Sequence, residues 1–167
     1  VHAISGPQDF RSIASDLEAL FSNSEMMMKR IRRSLEIKKK YIEKDEFDKG
    51  PRLVFNYGHS FGHAIEAATN FAIPHGIAVS IGCDMANYCA FRLGISTEQI
   101  WKSMSPTFKA NYQGYETLEI PFESFFSALG KDKKNIGKDS FSLILPDQKA
   151  KIFKDIYSDN QALRGIF

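Results

Sequence analysis

Histidine is scarce in this 167-residue chain, with four in all, and cysteine is scarcer, with Cys83 and Cys89 alone. The two cysteines sit six apart in an apolar helical stretch and so point to different sides of a helix. That argues against a mutual disulfide and for small buried hydrophobes in a reducing compartment. No apolar run approaches the roughly 18 residues that read as a membrane span. The chain has neither a charged leader nor a starting Met, so no signal peptide is expected, and it reads as a piece of a larger cytoplasmic protein. A net charge of +2 is too small to point to nucleic acid. Lys29, Arg30, Arg32 and Arg33 form a basic knot, and Lys38, Lys39 and Lys40 another. Glu36, Glu43, Asp45, Glu46 and Asp48 dilute both, which predicts a solvated helix face.

Apolar periodicity places the helices. Phe10, Ile13, Leu17 and Leu20 have helical spacing, broken at Asn23-Ser24. A second helix is expected from Ser24 to about Lys44, with Met28, Ile31, Leu35 and Ile42 on its buried side. Lys38 falls on that same stripe, where a lysine either snorkels at a rim or points into a cleft. Asp48-Lys-Gly50-Pro51 reads as a turn. Pro74-His75-Gly76 opens a helix from Ile77 to about Leu93 that is apolar nearly all round, and hence central. Ser96 is a plausible N-cap for a helix from Thr97 to Met104, and Pro121 to Leu129 reads as another with proline in its first turn. Phe141 to Leu145 and Lys151 to Phe153 look like strands around an Asp147-Gln148 turn. The expected architecture is one mainly α domain over residues 1–167, with a small β-hairpin near its C-terminus.

Three of the four histidines lie within 17 residues, His59, His63 and His75. Arg52, Asn56, His59, His63 and Glu66 recur at spacings of 4, 3, 4 and 3. A helix through them would carry cation, amide, two imidazoles and a carboxylate along one stripe. Core stripes are apolar, and a solvated stripe has no reason to gather both imidazoles. His59 and His63 would bind one metal as a helical H-x-x-x-H pair. The zinc-peptidase version requires Glu directly after the first His, and Ser60 stands there. Lys131-Asp-Lys-Lys134-Asn135 by itself reads as a surface charge run. With Lys38 and Arg52 it would supply cations for a phosphate or carboxylate.

Glu36-Ile-Lys38, Asp45-Glu46-Phe-Asp-Lys-Gly-Pro-Arg52, Phe55-Asn-Tyr-Gly-His-Ser-Phe-Gly-His-Ala-Ile-Glu66, Pro74-His-Gly76 and Asp132-Lys-Lys-Asn135 resemble, in order and spacing, the 3-dehydroquinate synthase family of sugar phosphate cyclases. The resemblance implies a helical C-terminal domain that holds most metal and substrate ligands, with an NAD-binding N-terminal domain absent from these residues. It implies that His59 and His75 are two of three protein ligands of zinc, and that His63 contacts the substrate, at its phosphate. Lys38, Arg52 and Asn56 would bind the substrate's anionic and hydroxyl groups. Of Lys133 and Lys134, Lys133 is preferred as a further cation. The implied reaction, a step of the shikimate pathway, cyclises a phosphorylated seven-carbon keto acid, with phosphate elimination and NAD regenerated in each turnover. The full-length enzyme would be a homodimer.

The chain departs from that pattern in three places. The family's third zinc ligand, a Glu three residues before a catalytic Lys, has no counterpart ahead of His2, so the chain alone is expected to be inactive. Ile77 stands where dehydroquinate synthases usually have Glu, and Phe55 where they usually have Leu, which leaves a paralogue with another phosphorylated sugar open. Keeping Lys38 and Arg52 together favours an acidic substrate. Two other readings compete: a metal-dependent polyol or glycerol phosphate dehydrogenase, and a non-enzymatic helical domain with structural histidines.

Overall fold

The structure, a computed structural model, describes residues 1–131, 140–157 and 160–167. Eight α-helices, one 3-10 helix and a two-stranded hairpin are found among the described residues: α1 (His2–Ser5), α2 (Pro7–Asp16), α3 (Ser24–Ile42), the 3-10 helix (Pro51–Asn56), α4 (His59–Ala68), α5 (His75–Arg92), α6 (Glu98–Asn111), α7 (Phe122–Lys131), β1 (Phe141–Pro146), β2 (Ile152–Tyr157) and α8 (Asn160–Arg164). The mainly α architecture with a C-terminal hairpin is as the sequence predicts.

Helix α5 lies at the centre, with α4 and α6 packed along it and β1 across it. It buries Ala78, Ala86, Cys89 and Ala90, and also two polar residues, Asp84 and Asn87. A buried polar group is costly without a partner, and each of the two finds one through one of its side-chain oxygens. Asp84 accepts hydrogen bonds from Ser105 Oγ at 3.0 Å and Tyr112 Oη at 2.8 Å, which ties α6 to α5. Asn87 accepts from the Tyr57 hydroxyl and so ties the entry of α4 to the same helix. Both cysteines are buried and unpaired, and burial pushes each thiol up to about 12.

Three glycines set the spacing of α4 and α5. A Cβ on Gly82 would lie 2.1 Å from the Gly58 carbonyl oxygen, and one on Gly62 would lie 3.1 Å from the Val79 Cα. Gly58 adopts φ +80°, a left-handed turn that glycine takes without strain, and a Cβ there would meet Cys83 Sγ at 2.4 Å. The backbones therefore approach more closely than any side chain would allow.

Several boundaries differ from expectation. Asn23 caps α3, its side chain accepting from the Met26 N–H at 3.0 Å, and the helix ends at Ile42. The apolar stripe expected to be buried is open instead: Met28, Ile31, Leu35 and Ile42 are 56, 46, 63 and 43% exposed, and Ile37 is the buried residue of α3. Periodicity identifies an apolar face but not what covers it. Here α2 packs on the charged side, where Arg33 Nη2 meets Asp9 at 2.6 Å and Arg30 Nε meets Asp16 at 2.7 Å. The basic knot is thus partly committed to ion pairs and not wholly solvated. Thr97, not Ser96, caps α6, which continues past Pro106 to Asn111. Ser96 instead donates to the Asp147 carbonyl at 3.0 Å.

The hairpin pairs Phe141 with Tyr157 and Pro146 with Ile152. Its turn is held by Asp147, whose carboxylate accepts from the Lys149 and Lys151 N–H groups at 2.7 and 2.9 Å. Leu143 and Leu145 of β1 are fully buried against α5. Among the described residues no helix is long and apolar enough to cross a membrane.

Candidate metal and substrate site

The expected five-residue stripe is not one helix. Arg52 and Asn56 lie on the 3-10 helix, Gly58 turns the chain, and α4 begins at His59. Only His59, His63 and Glu66 keep the helical relationship. The α4–α5 packing then carries His75, the first residue of α5, to the same place. The three imidazoles form a near-equilateral triangle, with ring centres 5.5 Å apart for His59–His63, 5.5 Å for His59–His75 and 5.7 Å for His63–His75.

Local hydrogen bonds orient two of these rings. Nδ1 of His59 lies 3.3 Å from the Tyr57 carbonyl, which only accepts, so Nδ1 carries the proton and Nε2 keeps its lone pair. Burial, with the neighbouring His63 and His75, holds His59 below the ordinary imidazole range, so it is neutral near pH 7, the form that binds metals. His75 is 56% exposed, but its Nδ1 faces the buried Glu66 carboxylate, with the oxygens at 3.1 and 3.2 Å. One donor atom each from His63, Glu66 and His75 lie within 4.8 Å of one another, on two rigid helices. Two imidazoles and a carboxylate are a common donor set for zinc and related divalent ions, so the residues fit a metal.

The cations are placed unequally. Lys38 is exposed and lines a cleft of about 550 Å³ together with His59, Phe55, Tyr57 and Asn111, so it does point into a cleft. Arg52 is turned away: its Nη1 donates to the Glu46 carbonyl at 2.9 Å, while its backbone N–H donates to Asp45 at 3.0 Å. Asn56 is exposed at the end of the 3-10 helix. Lys133, with the rest of the Asp132-Lys-Lys-Asn135 motif, lies outside the described residues. The fourth histidine is structural, with Nε2 of the buried His2 lying 3.0 Å from Ser34 Oγ.

Two supporting residues escape a reading for chemistry. Tyr57 supplies the carbonyl that orients His59, and Asn87 anchors Tyr57 from α5. An Asn on a helix whose buried residues are mostly apolar was the signal for the second. The backbone carbonyl has no signature in the sequence.

A helical domain with a His–Glu–His cluster at the crossing of two central helices has the donor set for a metal ion, and comparison with known proteins gives its family. The profile of the 3-dehydroquinate synthase C-terminal domain matches residues 1–135. The 3-dehydroquinate synthase of Campylobacter concisus is 34% identical over 140 residues, which are 83% of this chain and 40% of that enzyme. That of Dictyoglomus thermophilum is 37% identical over 125 residues, 73% of this chain and 34% of the enzyme. The fold is also that of 2-deoxy-scyllo-inosose synthase, solved with carbaglucose-6-phosphate, NAD+ and Co2+. The TM-score is 0.71 at 21% identity, covering 85% of this chain and 41% of that one. The chain belongs to the 3-dehydroquinate synthase family and spans about two fifths of the length of the relatives it matches.

Proposed function

We propose that these residues form the metal- and substrate-binding part of a cytoplasmic 3-dehydroquinate synthase, a carbon–oxygen lyase. The observation that carries this reading is the imidazole triangle beside Glu66, opening towards the cleft that Lys38 and His59 share. His59 and His75 would hold a zinc ion, with a third, carboxylate ligand coming from outside these residues. Bound there, zinc supplies Lewis acidity towards a substrate hydroxyl or carbonyl oxygen. NAD, held mainly by a separate domain, supplies reversible hydride transfer.

The chain's own residues bind and orient. Lys38 offers a point charge to the substrate's carboxylate or phosphate, and Asn56 offers an amide to its hydroxyls. His63, exposed one turn from His59, is positioned for the phosphate. Arg52 joins them on giving up its bond to the Glu46 carbonyl, and Lys133 adds a further cation. Held by these groups, the phosphate stays beside the carbon that loses a proton. The C–O bond then breaks with inorganic phosphate as the leaving group, the phosphate's own oxygen taking the proton. The full-length enzyme is read as a homodimer.

The test uses the full-length enzyme that contains this chain and follows phosphate release from a phosphorylated seven-carbon keto acid. Lys38→Ala, His59→Ala and His75→Ala should each lower kcat/KM by at least about a hundredfold. Near-normal turnover in any two would refute the assignment. A paralogous substrate is the second reading, favoured by Ile77 and Phe55, the latter lining the cleft against Tyr41. Turnover of a neutral sugar phosphate in preference to the keto acid would establish it. Accumulation of NADH would point to the dehydrogenase alternative. The exposure of His63 and His75 speaks against purely structural histidines.

A further inference from the structure

Between Lys38 and Arg52 runs a loop organised by one side chain, Asp45. Its Oδ1 accepts from the Lys49 N–H at 3.0 Å, and its Oδ2 from the Gly50 and Arg52 N–H groups at 2.8 and 3.0 Å. Pro51 has no N–H, so every backbone donor from residue 49 to residue 52 ends on this carboxylate. The first N–H groups of a helix have no partner inside it. Gly50, which precedes the 3-10 helix, has no side chain to cap them, and Asp45 does so from five residues upstream. An anion is also the charge that the start of a helix favours. The bond from the Lys49 N–H, helped by those from Gly50 and Arg52, holds the Asp45 carboxyl below the usual carboxylate range.

Asp45 also stands at the end of α3, where its own N–H donates to the Tyr41 carbonyl at 2.9 Å. The Tyr41 ring meets Phe55 of the 3-10 helix edge-on, with ring centres 5.1 Å apart. The helix that carries Lys38 and the one that carries Arg52 are thus pinned together at two points, a carboxylate and an aromatic pair. The side chain of Arg52 is held more lightly. It has one bond to the Glu46 carbonyl at 2.9 Å and a marginal contact of 4.0 Å with the exposed Asp48. A phosphate or carboxylate, offering two charged oxygens, binds a guanidinium more strongly than one neutral carbonyl does. The guanidinium can therefore leave its resting place while the backbone stays fixed.

We propose that Asp45 is a positioning residue for the binding of the substrate's anionic group: it fixes the backbone of Arg52 relative to the helix of Lys38, so that only the side chain of Arg52 moves when substrate arrives. The inference rests on the reading of Arg52 as a substrate-binding cation given above. It adds to that reading a residue that acts through the backbone of another and does not itself touch substrate.

The experiment follows phosphate release from a phosphorylated seven-carbon keto acid by the full-length enzyme that contains this chain, as wild type, Asp45→Ala, Arg52→Ala and the double variant. Circular dichroism confirms that each is folded, and Asp45→Asn replaces Asp45→Ala should the latter not fold. Asp45→Ala should raise KM at least about tenfold and leave kcat within about threefold of wild type. Made in the Arg52→Ala background, the same change should alter kcat/KM by less than about threefold, because its effect passes through Arg52. A purely structural role would instead act equally in both backgrounds. Full multiplication of the two effects in the double variant overturns the inference, as does an unchanged KM in Asp45→Ala. In either case a damaging Arg52→Ala leaves the reading of Arg52 standing. An Arg52→Ala enzyme with the kcat/KM of wild type refutes that reading and the inference with it.

Discussion

Gly82 of α5 lies directly beneath the carbonyl oxygen of Gly58, so close that a Cβ at Gly82 would sit 2.1 Å from it. This contact holds the first turn of α4, and with it His59 and His63, against the start of α5 and His75. The atom in the way is backbone and cannot rotate aside. Gly82→Ala should therefore cost on the order of 3 kcal/mol, at or beyond the upper end of ordinary overpacking, in urea unfolding. Gly76→Ala is the control: nothing lies within 4 Å of its added methyl. That change should be neutral or stabilise by up to about 1 kcal/mol through helix propensity. Equal effects of the two would show that the close approach does not set the geometry.

The attachment of α2 to α3 is electrostatic and should fail in acid. The Arg33 guanidinium beside Asp9 holds that carboxyl down to about 2, below its unfolded value of 3.8. A depressed carboxylate contributes stability that is complete above the unfolded value and is lost as pH falls through the folded one. The contribution of Asp9 should thus be constant above about pH 5 and disappear between about pH 4 and 2. Asp9→Asn should lower the melting temperature by a few degrees at pH 7 and by progressively less towards pH 2, as measured by thermal melts across that range. A constant difference at all pH values would contradict the ion-pair account.

Element positions and the histidine motif were legible in the sequence because they depend on short-range rules. The break at Asn23-Ser24, Pro121 before α7 and the Asp147 turn each act through bonds a few residues long, whereas the cap of α6 fell one residue from the Ser96 expected. The clustering of His59, His63 and His75 also came through, although spacing alone linked only the first two. His75 joins them through helix packing at Gly58, Gly62 and Gly82, which no periodicity reports.

The misplaced features depend on what lies across space. The exposed stripe of Met28, Ile31 and Leu35 was assigned to the core because amphipathicity does not say which face a neighbour covers. The continuous stripe from Arg52 to Glu66 failed at a single backbone angle, the positive φ of Gly58. Pro106 sits inside α6 where local rules would stop the helix, and α8 follows the hairpin without a strong periodic signal.

His75 comes to the site only through the packing of α4 on α5 and is a ligand in the proposed metal centre, so it carries the most direct test. Zinc titration of wild type and His75→Ala should be followed by calorimetry at pH 7.5, where the neutral imidazoles are available as ligands. Wild type should bind one zinc ion per chain, and His75→Ala should lose that binding while keeping the helical content of wild type. Unchanged zinc affinity in a folded His75→Ala protein would contradict a metal centre at the crossing of α4 and α5.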